Sequence, residues 1–309
     1  MPVIIPKGLP AEEELRRERI FTMSEARAIS QDIRPLKIAI VNLMPLKEVT
    51  ELQLLRRLSN TPLQIDIDLI KTESYQSKNT DHLHLEKFYK TFSEIKNDPY
   101  DAFIITGAPV ENMEFEEVAY WEELTSIFDY VKEHVFSTMF ICWAAQAALY
   151  YYYGIPKCSR KEKILGVYEY ELLKSTALAK GFDDKFYVPQ SRFTYNRAED
   201  LAKVDKLHVL AADDETGVHL AATEDHRLVF VSGHWEYDHD TLHLEYLRDQ
   251  AKGKPTQPPL NYYENGDPNG PIRSNWRAHG NLFFANWLNY CVYQETPYDI
   301  TKIVGWGSM

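Results

Sequence analysis

Cys142 stands where a short apolar run, Val135-Phe-Ser-Thr-Met-Phe-Ile141, gives way to the alanine-rich Trp143-Ala-Ala-Gln-Ala-Ala-Leu149. The first run, with its β-branched and aromatic residues, reads as a buried strand and the second as a helix. A thiol at that seam lies at the carboxyl end of a strand and beside a helix N-terminus, whose partial positive charge favours a thiolate. It is placed as a nucleophile; the competing reading is a small buried hydrophobe, as free cysteines often are. A second apolar run, Leu228-Val-Phe-Val-Ser232, ends in Gly233, His234 and then Glu236. Cysteine catalysis requires an imidazole to take the thiol proton and pass it on, and gains from a carboxylate that orients the ring. Cys142, His234 and Glu236 supply one of each. Otherwise His234 would cap a strand and Glu236 would be a solvated loop carboxylate.

The elements that must position these groups follow from apolar patterning. Leu36–Asn42, Leu63–Ile70, Ala102–Thr106 and the run before Cys142 read as strands; Glu48–Leu58, Leu83–Phe92 and Glu116–His134 read as helices between them. Such alternation implies an α/β fold, a mostly parallel sheet with helices on both faces. The second half adds strands at Ile164–Leu172, Lys185–Val188, Lys206–Ala211, Val218–Ala222 and Leu228–Ser232, expected to include antiparallel pairs. Helices follow at Asp238–Gln250 and Asn281–Tyr293, separated by a long irregular segment, 252–279. A loop of that length is expected to be functional or to cover a partner. Residues 1–34 read as an N-terminal arm with a short helix over Ala11–Arg19, packed on the body or on a second subunit. Residues 35–297 form one domain and 298–309 a tail.

Two loops follow strands that should end on the same edge as Cys142: Asn42-Leu-Met-Pro-Leu-Lys47 and Thr106-Gly-Ala-Pro-Val-Glu111. Small residues at Gly107 and Ala108 let backbone approach a ligand, and N–H groups there or at Trp143 are candidates to hold an oxyanion. The alternative for Gly107-Ala-Pro109 is a plain tight turn. For Lys47, a role at the site and a solvated surface position stand on equal terms.

Composition bounds the rest. With 44% hydrophobic and 13% aromatic residues, 309 residues suffice for a packed core. No run approaches the ~20 apolar residues of a membrane span, and the opening Met1-Pro-Val-Ile-Ile-Pro6 is too short and proline-bound for a signal peptide, so the cytoplasm is expected. Three cysteines without CxxC spacing suggest neither disulfides nor a zinc site, and no other metal or permanently bound cofactor is indicated. The formal charge of −12 argues against a general nucleic-acid surface.

In plan the chain resembles the class I glutamine amidotransferase superfamily: Cys142 with Gln146 four residues on, a small-residue loop after the preceding strand, and a late His234-x-Glu236. Ile141 and Ala144 stand where those enzymes carry glycines, which argues against glutamine hydrolysis. The closer resemblance, over nearly the whole chain, is to the homoserine O-succinyltransferase and O-acetyltransferase family of methionine biosynthesis. It is carried by Asn42-Leu-Met-Pro-Leu-Lys47, Thr106-Gly-Ala-Pro-Val-Glu111, Phe140-Ile-Cys-Trp-Ala-Ala-Gln146, Pro189-Gln-Ser-Arg192 and Gly233-His-Trp-Glu-Tyr237.

This resemblance implies a class I glutamine amidotransferase-like fold and a two-step acyl transfer. Cys142 takes an acyl group from acyl-CoA, and the L-homoserine hydroxyl then attacks the thioester, with His234 as base and Glu236 orienting it. It further implies substrate binding by Lys163, Ser191 and Arg248, no membrane or nucleic-acid partner, and a homodimer. An arginine fork suits the homoserine carboxylate, although Arg248 on a helix could equally be a surface residue. The basic run Lys157, Arg160, Lys161, Lys163 is a candidate for CoA phosphates or an ordinary solvated turn. Succinyl-specific members are expected to carry glycine at position 111. Glu111 would crowd and repel a succinyl carboxylate, so acetyl-CoA is the expected donor and succinyl-CoA the alternative. Glu111 could instead merely open the acidic helix that follows. Two remoter readings are a cysteine hydrolase or amidotransferase and a non-catalytic binding protein of the same fold.

Overall fold

Ile38 and Ile40 face one side of their strand and Ala39 and Val41 the other, and all four are fully buried on two separate cores. A strand apolar on both faces belongs in the middle of a parallel sheet, where helices cover each side. The computed structural model describes residues 3–18, 20, 22–24, 34–75 and 79–305. Parts of the expected arm, Arg19 at the end of its expected helix included, and 306–309 of the tail lie outside the described residues.

In chain order the elements are β1 (Val3–Ile5), α1 (Ala11–Arg17), β2 (Met23–Ser24), β3 (Leu36–Val41), α2 (Lys47–Leu58), β4 (Ile65–Lys71), α3 (His82–Phe88), β5 (Tyr89–Thr91), α4 (Phe92–Ile95) and β6 (Tyr100–Ile105). They continue with α5 (Trp121–His134), β7 (Val135–Ile141), α6 (Trp143–Tyr153), β8 (Cys158–Glu171), β9 (Lys185–Tyr195), α7 (Ala198–Leu201), β10 (Leu207–Asp213), β11 (Gly217–Thr223), β12 (Leu228–Val231), α8 (Thr241–Ala251) and α9 (Arg277–Asn286). Among the described residues the main sheet runs β10-β11-β12-β7-β6-β3-β4-β1-β2, with β5 also on β4. From β12 through β4 the pairs are parallel, while β10, β11 and β12 pair antiparallel, as expected of the second half. β8 and β9 form a separate antiparallel pair. The apolar sides of α1, α2 and α9 share one core with that pair, and α5 and α6 share the other.

Several boundaries differ from expectation for physical reasons. The helix expected from Glu116 starts at Trp121, because a Glu114–Glu117 capping box closes Phe115–Glu117 into a 3₁₀ turn and Val118 is extended. The helix expected over Leu83–Phe92 breaks at Tyr89–Thr91, which pair with the edge of β4. The closing helix begins earlier, at Arg277, and widens into a π-helix over Trp287–Tyr293. The arm packs on the body: β1 and β2 extend the sheet past β4, and Val3, Ile5 and Leu15 join the core. The segment 252–276 is largely exposed but anchored: Tyr262, Tyr263 and Trp276 are buried, and the Leu260 backbone is bonded to both Leu165 and Val167 of β8.

β9 passes close to the end of β12. It was expected to stop at Val188, before a proline, but runs through Pro189 to Tyr195. It crosses the end of β12 so closely that a Cβ at Gly233 would run into Val188 Cγ1 and lie 2.7 Å from Gln190 Nε2 and 3.0 Å from the Pro189 carbonyl. Gly233→Ala should therefore destabilise the fold by about 1–3 kcal/mol, the usual cost of overpacking, and depress activity through His234. Gly154→Ala meets nothing within 4 Å but sits at φ 66°, and should cost about 1 kcal/mol with kcat unchanged. Thermal unfolding and steady-state rates of the two variants check this contrast.

Candidate active site

At the end of β7 the chain turns directly into α6 through Cys142, whose backbone has φ 53° and ψ −116°. This is strained for a residue with a Cβ, and it lifts the thiol clear of the strand, as at the nucleophile elbow of other α/β enzymes. The Cys142 N–H is tied to the Val231 carbonyl of β12 at 2.7 Å, and its own carbonyl accepts from Ala145 and Gln146 in the first turn of α6. The loop after β6 closes over it: a Cβ on Gly107 would lie 3.0 Å from the Cys142 Cβ, so only glycine passes comfortably. The Thr106 hydroxyl accepts from the Leu43 N–H at 2.8 Å and donates to the Gly107 carbonyl at 3.2 Å, lashing the two expected loops together. The first N–H groups of a helix have no intrahelical acceptor, so those of Trp143 and Ala144 open α6 beside the thiol. The Trp143 indole itself is buried against Phe115 and Tyr120.

His234 meets this turn from β12. Its N–H bonds the Pro189 carbonyl at 2.8 Å, its Nδ1 lies 2.6 Å from Glu236 Oε1, and its ring stacks on Tyr237 at 4.1 Å. The Cys142 side chain faces the imidazole electrostatically. Burial alone would disfavour the imidazolium, but the Glu236 and Cys142 charges and the Glu236 hydrogen bond outweigh it and raise the His234 pKa well above its ordinary value. The three residues singled out in the sequence thus lie together, Cys142 facing the His234 ring and the ring bonded to Glu236.

Lys163, Ser191 and Arg248 converge on one charged patch beside it. Lys163 Nζ lies 2.8 Å from Asp249 and 3.8 Å from Glu245; the Ser191 hydroxyl donates to Glu245, which also accepts from Tyr237 at 2.9 Å. Arg248, partly exposed, reaches Asp249 at 3.2 Å. Glu245 and Asp249 went unread in the sequence; their signal is the helical i, i+4 spacing that sets both carboxylates on the Arg248 side of α8. Glu111 is partly buried rather than solvated. Burial raises its carboxyl pKa, opposed by a hydrogen bond from the Phe193 N–H and by Lys163 and Arg192.

Lys47 is not a surface lysine: it is 5% exposed and donates to the Asn42 and Met44 carbonyls. Desolvation lowers its pKa to about 8, against the attraction of Glu51. It lines a cavity of about 550 Å³ that also touches Leu43, Pro109 and Val110 from the two site loops. The basic run does not form one phosphate cradle. Lys157 donates to the Glu111 and Met113 carbonyls, Arg160 to the Glu215 carbonyl, and Lys163 faces Asp249.

Residues 2–298 match the model of a family described as homoserine O-succinyltransferase. Homoserine O-acetyltransferase 1 of Ilyobacter polytropus is 53% identical over 96% of this chain and 99% of its own. Homoserine O-acetyltransferase of Acetivibrio thermocellus is 54% identical over 98% and 100%, and that of Thermotoga petrophila 52% over 98% and 100%. In fold the chain resembles a glutamine amidotransferase from Thermotoga maritima, with a TM-score of 0.54, 13% identity, and coverage of 83% of this chain and 98% of that one.

The strain at Cys142 makes an unusual stability order testable. Cys142→Gly should be more stable than Cys142→Ala by about 1 kcal/mol, the reverse of the order at an ordinary position, because glycine alone takes a positive φ without penalty. Chemical denaturation of both variants measures it; an alanine variant as stable as the glycine one, or more so, would show that no strain is held there.

Proposed function

The chain belongs to the homoserine O-succinyltransferase family, and we propose that it is a homoserine O-acetyltransferase acting through a Cys142 acetyl-thioester, an early step of methionine biosynthesis. The observation that carries this reading is the buried cluster of Cys142, His234 and Glu236 at the carboxyl edge of the sheet, next to a patch of mixed charge.

The thiolate attacks the carbonyl carbon of acetyl-CoA, and the oxyanion that forms lies against the free N–H groups at the start of α6 and the Gly107 loop. The C–S bond to CoA breaks, and CoA leaves with the proton that His234 holds. Neutral His234 then takes the hydroxyl proton of L-homoserine as its oxygen attacks the thioester. The second tetrahedral species expels the Cys142 thiolate and releases O-acetylhomoserine, which restores the imidazolium–thiolate pair. Glu236 holds Nδ1–H throughout, so Nε2 stays the working nitrogen. An amino-acid substrate carries both charges, and the patch offers both: Arg248 and Lys163 for the carboxylate, Glu245 and Asp249 for the ammonium. Acetyl-CoA is a co-substrate rather than a resident cofactor. None of the helices in the described residues is long and apolar enough to cross a membrane; a cytoplasmic homodimer is the proposed setting.

Glu111 sets the donor in this account. A succinyl carboxylate would meet a like charge in a partly desolvated place, whereas acetyl brings neither length nor charge. His234→Asn should lower kcat at least ~10²-fold, and initial rates against both substrates should give parallel double-reciprocal lines. Glu111→Gly should gain succinyl-CoA use and lose acetyl-CoA efficiency. In the wild type, the ratio of succinyl to acetyl kcat/KM should rise as pH falls from neutral toward the raised Glu111 pKa, because protonation removes the repulsion. A donor ratio unchanged by both the substitution and pH would remove Glu111 from the acyl pocket.

A further inference from the structure

Arg192 is fully buried on β9, among the largest side chains with no exposure. Its guanidinium is held by neutral acceptors: Nε donates to Gln190 Oε1 at 3.2 Å, Nη1 to the Thr194 carbonyl at 2.9 Å and Nη2 to the Thr216 carbonyl at 2.8 Å. Each guanidinium nitrogen thus has one neutral acceptor, and none of these acceptors balances its charge. Among the described residues no carboxylate oxygen lies within ion-pair distance of it. A buried cation without a paired anion is costly, so such a group is informative.

The network around it spans the site. Gln190 Nε2 donates to the Tyr170 hydroxyl at 2.8 Å, and that hydroxyl meets Thr216 Oγ1 at 2.7 Å. Thr194 Oγ1 donates at 2.7 Å to Gln146 Oε1, one turn into the helix that Cys142 opens. On its other side β9 bonds the His234 N–H through Pro189, and Gln190 packs against Gly233. Arg192 therefore sits where β9 bridges the nucleophile's helix and the base. The groups that face it electrostatically are Cys142, Glu111, Tyr170 and Tyr168, with His219 on the β11 side. Both tyrosines have hydroxyl pKa values raised by burial and are neutral at ordinary pH. That leaves Glu111 and an ionised Cys142 as its available counter-charges. Cys142 is faced in turn by His234, Tyr237 and Arg192.

We propose that Arg192 is a positioning residue for the nucleophile, a fixed buried cation that favours the Cys142 thiolate jointly with His234 while its neutral hydrogen bonds lock β9 against α6. The inference rests on reading Cys142 as the nucleophile, and its test needs no acyl transfer. The rate of Cys142 carboxamidomethylation by iodoacetamide, followed by mass spectrometry against pH, reports the thiolate directly. For Arg192→Gln the profile should move to higher pH by about one unit or more, the scale of a lost neighbouring charge, while Arg192→Lys, which keeps the charge, moves it by less than half as much. A folded Arg192→Gln protein whose profile coincides with the wild type would overturn the proposal, as would equal shifts in the two variants. Should the neutral variant fail to fold, the wild type labelled with ¹⁵N-arginine suffices. One Nε–H resonance should titrate with the midpoint of the alkylation profile and cease to titrate in Cys142→Ala; the absence of any such resonance overturns the proposal equally. Failure of acetyl transfer with these readouts intact would count against the proposed function and leave Arg192 in place.

Discussion

The backbone at Cys142 is the constraint on which the rest depends. A cysteine at φ 53° costs on the order of 1–3 kcal/mol, and it persists because the chain on either side has nowhere else to go. β7 lies between β6 and β12, hydrogen-bonded to both, and α6 is packed into a core of alanines and aromatic rings. Between two fixed elements with no connecting loop, one residue must absorb the whole change of direction. A side chain at that residue is lifted out of the sheet and set at a helix N-terminus.

A second constraint is the meeting of two sheets. The parallel sheet alone brings together Cys142, the Gly107 loop and His234, which are the parts any acyl transfer to a cysteine would use. The β8–β9 pair brings the rest. By crossing the end of β12 it fixes the His234 backbone, and by facing α8 it sets Lys163 and Ser191 opposite Glu245 and Asp249. The Cys142, His234 and Glu236 cluster and the charged patch thus lie on different layers joined at Gly233, a position with no space for a side chain. The first layer belongs to the fold this chain shares with a glutamine amidotransferase of known structure, and the charged patch lies between the β8–β9 pair and α8.

Much of this was legible in the residues because the signals were of kinds that sequence records well. Runs such as Val135–Ile141 and Leu228–Ser232 are buried on both faces, and Cys142 follows the first while His234 and Glu236 follow the second. What escaped had weak or misleading local signals. β1 and β2 are three and two residues long, too short to show a period. Pro189 reads as a strand terminator, yet β9 continues through it, and its carbonyl is what holds His234. Lys47 and Arg192 look like solvent-facing charges by type. Their burial depends on carbonyls at Asn42, Thr194 and Thr216 that no local pattern announces. The basic run from Lys157 to Lys163 was misleading in the opposite way: Lys157 precedes β8, the pairing of β8 with β9 is interrupted between Ser159 and Ile164, and the members of the run find separate partners.

The central claim is that the acyl group passes through Cys142, and a single-turnover experiment addresses it most directly. The protein is mixed with excess acetyl-CoA in the absence of homoserine, freed of nucleotide by rapid gel filtration, and mapped by peptide mass spectrometry. One acetyl group should be found on the peptide carrying Cys142, and homoserine added to the isolated protein should discharge it into an equal amount of O-acetylhomoserine within one turnover time. An acetyl group on another residue, or O-acetylhomoserine formed only while both substrates are present together, would contradict the account.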